Sequence, residues 1–180
     1  MSSFHQTSAL TTVGVVITAL VSGCGETKVS QCNKLIEVIN KGQPLVAEFQ
    51  QETIKASSSL VSTDNSSAVK QQATQSATVF NKFASDWDKY NQEIKAVELA
   101  DEKIIGFQKR YGEAGDKLGQ GIRDMSKVMT ELSEVKTTPQ SLGTLQKVSS
   151  DLNTISQKLV SVGQESDKVV TELNSYCSKG

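Results

Sequence analysis

Apolar residues along most of this chain recur three and four apart, the spacing that lines one face of an α-helix, and β-type alternation is scarce. The clearest stretch is Phe80, Phe83, Trp87, Tyr90, Ile94 and Val97, a heptad seam. In the same phase it continues through Asp101, Ile104, Gln108, Tyr111, Gly115, Leu118, Ile122, Met125, Met129 and Leu132. Its middle is polar and loose. Asp101, Gln108 and Gly115 occupy core positions, and Gly106, Gly112, Gly115, Gly119 and Gly121 crowd one region. Each glycine costs about 1 kcal/mol relative to alanine inside a helix. The pattern therefore predicts a turn or bend between about Ala100 and Gly115, with a helix running on from it to Lys136.

Upstream, Cys32, Leu35, Ile36, Ile39, Val46, Phe49 and Ile54 keep one face apolar and predict a first helix from Ser30. Gly42 and Pro44 interrupt it with a kink or short break. Ile39 and Val46 lie seven apart, so the phase is expected to survive the interruption. Ala56 to Ser67 is rich in serine and reads as a loop, with Asp64, Asn65 or Ser66 capping the next helix. Downstream, Thr137-Thr138-Pro139 opens a last helix with a cap and a proline in its first turn. Its seam runs through Leu145, Val148, Leu152, Ile155, Leu159, Val162, Ser166, Val169, Leu173 and Tyr176, and brings Cys177 inward or nearly so.

The fold class is all-α, and two topologies fit. An up-down-up-down four-helix bundle over residues 31–180 puts the start of the first helix beside the end of the last, and so Cys32 beside Cys177. The alternative is an extended rod, with 67–136 as one long helix of roughly 100 Å and the outer helices folded back antiparallel along its halves. The bundle is preferred because it buries more apolar area and allows the chain to turn at the glycine cluster.

Ahead of the body, Val13 to Val21 is apolar except for Gly14 and Thr18, far short of the roughly 20 residues that span a bilayer. It has the length of a signal-peptide core and ends in Val21-Ser22-Gly23-Cys24. This tetrapeptide resembles the lipobox of bacterial lipoprotein precursors, in which an aliphatic and two small residues precede the acceptor cysteine. The resemblance implies that residues 1–23 are a signal peptide, that Cys24 is lipidated and becomes the first mature residue, and that 24–30 is a tether. Two or three acyl chains on one residue hold a protein at a membrane where one chain is marginal. It also implies a cell-envelope location, facing the periplasm or an equivalent lumen.

The chain has three cysteines, and one lipidated Cys24 leaves the even pair Cys32 and Cys177 for a disulfide, which needs an oxidising compartment. Lysine and arginine number 19 against 20 acidic residues, a net charge of −1, so no basic excess points to nucleic acid. The single histidine, His5, lies in the leader. Its position removes histidine nucleophile pairs, histidine bases and histidine metal sites from the body. No cofactor motif is present, and no metal site is expected. Glu98, Asp101 and Glu102 would share one helical face if that segment were helical, and read as a solvated face near a turn.

Trp87 and Tyr90 belong to the aromatic seam; the core is their first reading, and a partner or apolar-ligand surface the functional one. The expected function is non-enzymatic: a membrane-anchored helical accessory or assembly subunit with a protein partner in a membrane or envelope complex. A carrier of an apolar small molecule in a pocket at Trp87 and Tyr90 is the alternative, and Asp101 is the one residue an enzyme reading could name.

Overall fold

The computed structural model describes residues 26–58, 66–135 and 142–179. Five helices occupy them: α1 (Lys28–Asn40), α2 (Gly42–Ser58), α3 (Ser66–Lys95), α4 (Glu102–Glu134) and α5 (Leu142–Cys177). The leader with Cys24, the expected caps at Asp64 and Asn65, and Thr137-Thr138-Pro139 lie outside the described residues.

The limbs alternate in direction. Between α2 and α3, Lys41 pairs with Glu93, Lys82 with Glu48, and Gln72 Nε2 donates to the Ala56 carbonyl, so one helix climbs as the other descends. Lys95–Asp116 and Arg123–Asp88 mark the same reversal between α3 and α4, and Arg110–Glu172, Lys117–Glu165 and Lys147–Glu131 mark it between α4 and α5. The result is an all-α, up-down-up-down bundle, its first limb broken into α1 and α2; α4 alone spans about 50 Å at 1.5 Å per residue. The chain reverses between α3 and α4, so the long rod is not formed.

One core joins α1, α3, α4 and α5 around Leu35, Ile94, Ile104, Val169 and Leu173, all at or below 1% exposure. Burying each such side chain stabilises the fold by about 1.5–3 kcal/mol, whereas the exposed ion pairs contribute at most about 1 kcal/mol each. Packing sets the fold, and the charges mark its register. A satellite cluster of Val128, Val148 and Ile155 zips the far ends of α4 and α5. α2 packs on α3 and α5 on α4, while α1 touches all three of α3, α4 and α5. The core side chains of both clusters lie between Cys32 and Cys177, so residues 26–179 carry a core of their own.

The bend lies elsewhere than the glycines suggest. It occupies Ala96 to Asp101, and α4 begins at Glu102 and runs straight through Gly106, Gly112, Gly115, Gly119 and Gly121. The physical reason is close approach. A Cβ on Gly115 would collide with the Asn91 side chain of α3; on Gly112 it would meet Lys95 Cε at 3.1 Å, and on Gly119 Asp88 Oδ1 at 2.9 Å. On Gly121 it would lie 2.5 Å from Leu159 Cδ2 of α5. Four of the five glycines thus let neighbouring helices come near; only Gly106 faces open space.

Two smaller corrections follow. The first limb breaks at Lys41, ahead of Gly42 and Pro44, and the phase survives as expected, with Leu35, Gly42, Phe49 and Ala56 seven apart on the core side. Leu45 and Phe49 turn to the core, while Val46 and Ile54 point outward. Glu98 lies in the turn and Asp101 caps α4, so Glu98, Asp101 and Glu102 do not share a helical face.

The glycine contacts make a two-sided prediction. Gly115→Ala should lower stability by about 1–3 kcal/mol, because the Asn91 side chain and the α3–α4 spacing must shift. Gly106→Ala, which meets nothing within 4 Å, should raise it by up to about 1 kcal/mol. Urea denaturation followed by circular dichroism reads both; changes of the same sign would refute the close-approach account.

Candidate functional site: the cross-linked end of the bundle

The start of α1, the α3–α4 turn and the end of α5 meet at one end, and the polar chemistry of the chain is concentrated there. Thr27 caps α1 through a hydrogen bond from the Ser30 amide, and the Glu26 carboxylate accepts from Ser30 Oγ and Lys34 Nζ. Those bonds hold the Glu26 carboxyl below its ordinary range, the Lys34 bond most strongly.

Gln31 is the clamp. Its Oε1 accepts from the amides of Ala100 and Asp101 at 2.7 and 2.8 Å, and its Nε2 donates to the Glu26 carbonyl at 2.9 Å. A side chain only 4% exposed thus satisfies two amides of the α3–α4 turn that would otherwise be buried without partners. Gln108 does the same for the carbonyls at the end of α3, donating to Ile94 and Val97 at 2.8 Å each.

Asp101 joins three elements. Its Oδ1 caps α4 by accepting from Lys103 N and Ile104 N, and its Oδ2 accepts from the Tyr176 hydroxyl of α5 at 2.9 Å. The Ile104 amide is the main cause holding its carboxyl below the usual range, and the hydrogen bond that the Tyr176 hydroxyl donates to Asp101 raises the Tyr176 phenol. Lys28 Nζ lies 4.1 Å and Lys103 Nζ 4.8 Å from the centre of the Tyr176 ring. Next to it the Cys32–Cys177 disulfide ties α1 to α5, as the pairing of odd and even cysteines led us to expect.

Trp87 and Tyr90 are elsewhere, in the interior, 6% and 3% exposed. The Trp87 indole donates to the Gly115 carbonyl at 2.9 Å, and the Tyr90 hydroxyl donates to the Ile39 carbonyl at 2.8 Å while accepting from Tyr111 at 3.2 Å. Burial first, and then the Tyr111 contact, pushes the Tyr90 phenol up far beyond its ordinary range. These rings fasten α3 to α4 and α1 and present no surface to a partner or ligand, which corrects the functional reading of that pair. Among the described residues no group of three or more histidine, cysteine or acidic side chains is placed to hold a metal, and no helix is long and apolar enough to cross a membrane. Cys24 lies outside the described residues, two positions before Glu26.

Gln31 stands four positions before Leu35 on the same buried face, but a count of apolar positions passes over a polar residue there. Asp101 and Gln108 did leave a signal, as polar residues at core phase.

Two predictions rest on this end. Reducing the disulfide, or Cys32→Ser, releases a loop closed across a separation of 145 residues and should cost about 5 kcal/mol on the loop-entropy model, read as a drop in urea midpoint in reductant. The second concerns acid. Because the folded pKa of Asp101 is depressed, its contribution is complete above the unfolded carboxylate value of about 3.9 and is lost as pH falls through the folded value. Asp101→Asn, which keeps a capping oxygen, should be less stable than the parent at pH 6 and should converge on it below about pH 3. A stability gap independent of pH would show that the charge plays no part.

Comparison with known proteins finds no family model, no curated protein and no solved structure that matches this chain.

Proposed function

We propose that the chain is a non-enzymatic lipoprotein, anchored through Cys24 to a membrane and facing a periplasm or equivalent lumen, where its helical bundle serves as an accessory or assembly subunit of a membrane or envelope protein complex. The observation that carries the reading is the Cys32–Cys177 disulfide. It uses two of three cysteines, fits an oxidising compartment, and leaves Cys24 as the single unpaired one, at the end of Val21-Ser22-Gly23-Cys24.

The geometry supports this in a second way. α1 begins at Lys28, so at most about 14 Å of extended chain separates Cys24 from the bundle. An anchor there sets the cross-linked end against the bilayer and stands the long axis away from it or along it, within reach of a protein embedded in the same membrane. The polar side chains at this end are engaged in capping and clamping, an arrangement that suits a rigid binding module better than a reaction centre. At Trp87 and Tyr90 the interior is occupied by the protein's own side chains, which favours the subunit reading over a carrier.

Native mass spectrometry of the protein from its own membranes is the test. The expected species begins at Cys24, carries two or three acyl chains, and travels with a stoichiometric protein partner. Cys24→Ser should move it to the soluble fraction. A chain retaining residues 1–23 without acyl groups would overturn the anchor, and a lone chain bearing a small apolar ligand would overturn the subunit reading.

A further inference from the structure

Beside Tyr176 an open groove of about 600 Å³ runs between the start of α4 and the end of α5, lined by Lys103, Phe107, Arg110, Glu172, Tyr176 and Lys179 among others. Its floor is aromatic, the rings of Phe107 and Tyr176 lying 6.0 Å apart. Three cations line it against one carboxylate, Glu172, and that carboxylate is bonded to Arg110 and held below its ordinary range, chiefly by that bond and in small part by Lys168. Lys28 reaches the same Tyr176 ring from α1. Of the other acidic groups at this end, Asp101 is taken by the α4 amides and the Tyr176 hydroxyl, and Glu26 by Lys34. Glu98 and Glu102 do not line the groove. Within the described lining Lys103, Arg110 and Lys179 therefore outnumber Glu172 by two, a local positive excess on a chain whose net charge is −1, while Lys28 lies in the field of Asp101.

We propose that this groove is a docking site for the phosphate headgroup of an anionic phospholipid, engaged from the bilayer that holds Cys24. Three features select this occupant. The cations flank an aromatic platform, the arrangement that suits an anion attached to an apolar or amphipathic body. The groove opens at the end of the bundle nearest Cys24, within about two Debye lengths of an anchored membrane surface. The one carboxylate among its described lining residues, Glu172, is paired with Arg110, so the free charge facing an incoming phosphate comes from lysine. Docking there fixes the tilt of the bundle on the membrane, which a flexible tether alone leaves free. The inference rests on the anchored-lipoprotein reading for its choice of bilayer.

The test uses the chain from residue 24 onward with Cys24→Ser, whose core is complete without the leader, so that vesicle binding reports the groove and not acyl chains. Flotation compares vesicles of phosphatidylcholine with vesicles containing roughly 30 mol% phosphatidylglycerol. Binding is expected to the anionic vesicles alone and to fall steeply between about 100 and 500 mM salt. Lys103→Glu with Lys179→Glu should weaken it by more than about tenfold, at about fivefold per neutralised lysine. Lys103→Gln with Lys179→Gln tests the same point should the reversed charges impair folding, and Lys127→Glu at the far end should change little. Equal binding to both vesicle types, or an equal loss from Lys127→Glu, would overturn the proposal. The two readings fail separately. A lipidated native chain whose Cys24→Ser form ignores anionic vesicles removes the groove, whereas selective vesicle binding by a chain found unlipidated in its own membranes removes the anchor.

Discussion

The fold depends on how closely α3 and α4 approach. Gly112, Gly115 and Gly119 remove side chains from the facing surface of α4, and α3 fills the space with Lys95, Asn91 and Asp88. Backbones that near can exchange hydrogen bonds with the partner's side chains. Asn91 Nδ2 donates to the Gly112 carbonyl and to Asp116, Trp87 Nε1 to the Gly115 carbonyl, and Ser126 Oγ to the Ala77 carbonyl. Each uses the second lone pair of a carbonyl or reaches an acceptor that a wider spacing would leave out of range. The Asn91 Oδ1 sits where a Gly115 Cβ would be and has no hydrogen-bond partner, which shows how little room the interface leaves. The price of four of the five glycines in this helix is thus met by contacts that larger residues would prevent.

From that pair outward the rest of the bundle is placed in turn. α2 lies along α3 through the stacked rings of Phe49 and Phe83, 4.1 Å apart, and α5 lies along α4 through Leu159, Val162, Val169 and Leu173. α1 then lies across the end where α3 turns into α4, the one helix in contact with α5 as well as with α3 and α4. Gln31, Asp101 and Gln108 have little to do with burial as such. They supply hydrogen-bond partners to the turn amides and carbonyls that the crossing would otherwise strip of water.

The seams were legible because hydrophobic period needs only local information: Phe80, Phe83, Trp87, Tyr90 and Ile94 are all buried, as are Val148, Ile155, Val162, Val169 and Leu173. So was the pairing of Cys32 with Cys177, the even pair that remains once Cys24 is set aside. The position of the bend was not. Helix propensity prices each glycine in isolation, and the gain that offsets it resides in Asn91 and Leu159, residues distant in sequence whose proximity no local pattern reveals. Asp101 and Gln108 marked the bend correctly, but their message was diluted by the glycines that follow. Val46 and Ile54 were misplaced for a different reason: each lies off the seam that Leu35, Gly42, Phe49 and Ala56 keep through the break, and apolar character alone placed them on it. The buried roles of Trp87 and Tyr90 were the ordinary expectation for a seam, whereas the groove beside Tyr176 arises where Lys103 and Arg110 of α4 meet Lys179 beyond α5, and has no linear signature.

The disulfide joins a residue in the second turn of α1 to the last residue of α5. Mechanically this makes residues 32–177 a closed ring from which the chain enters and leaves at the same place. Tension applied between the entering and leaving chain runs from sulfur to sulfur and bypasses every residue in between, so the helices carry no load and cannot be peeled apart from either terminus. The bundle can then be loaded only through its flanks, by whatever grips the outer faces of α2 to α5.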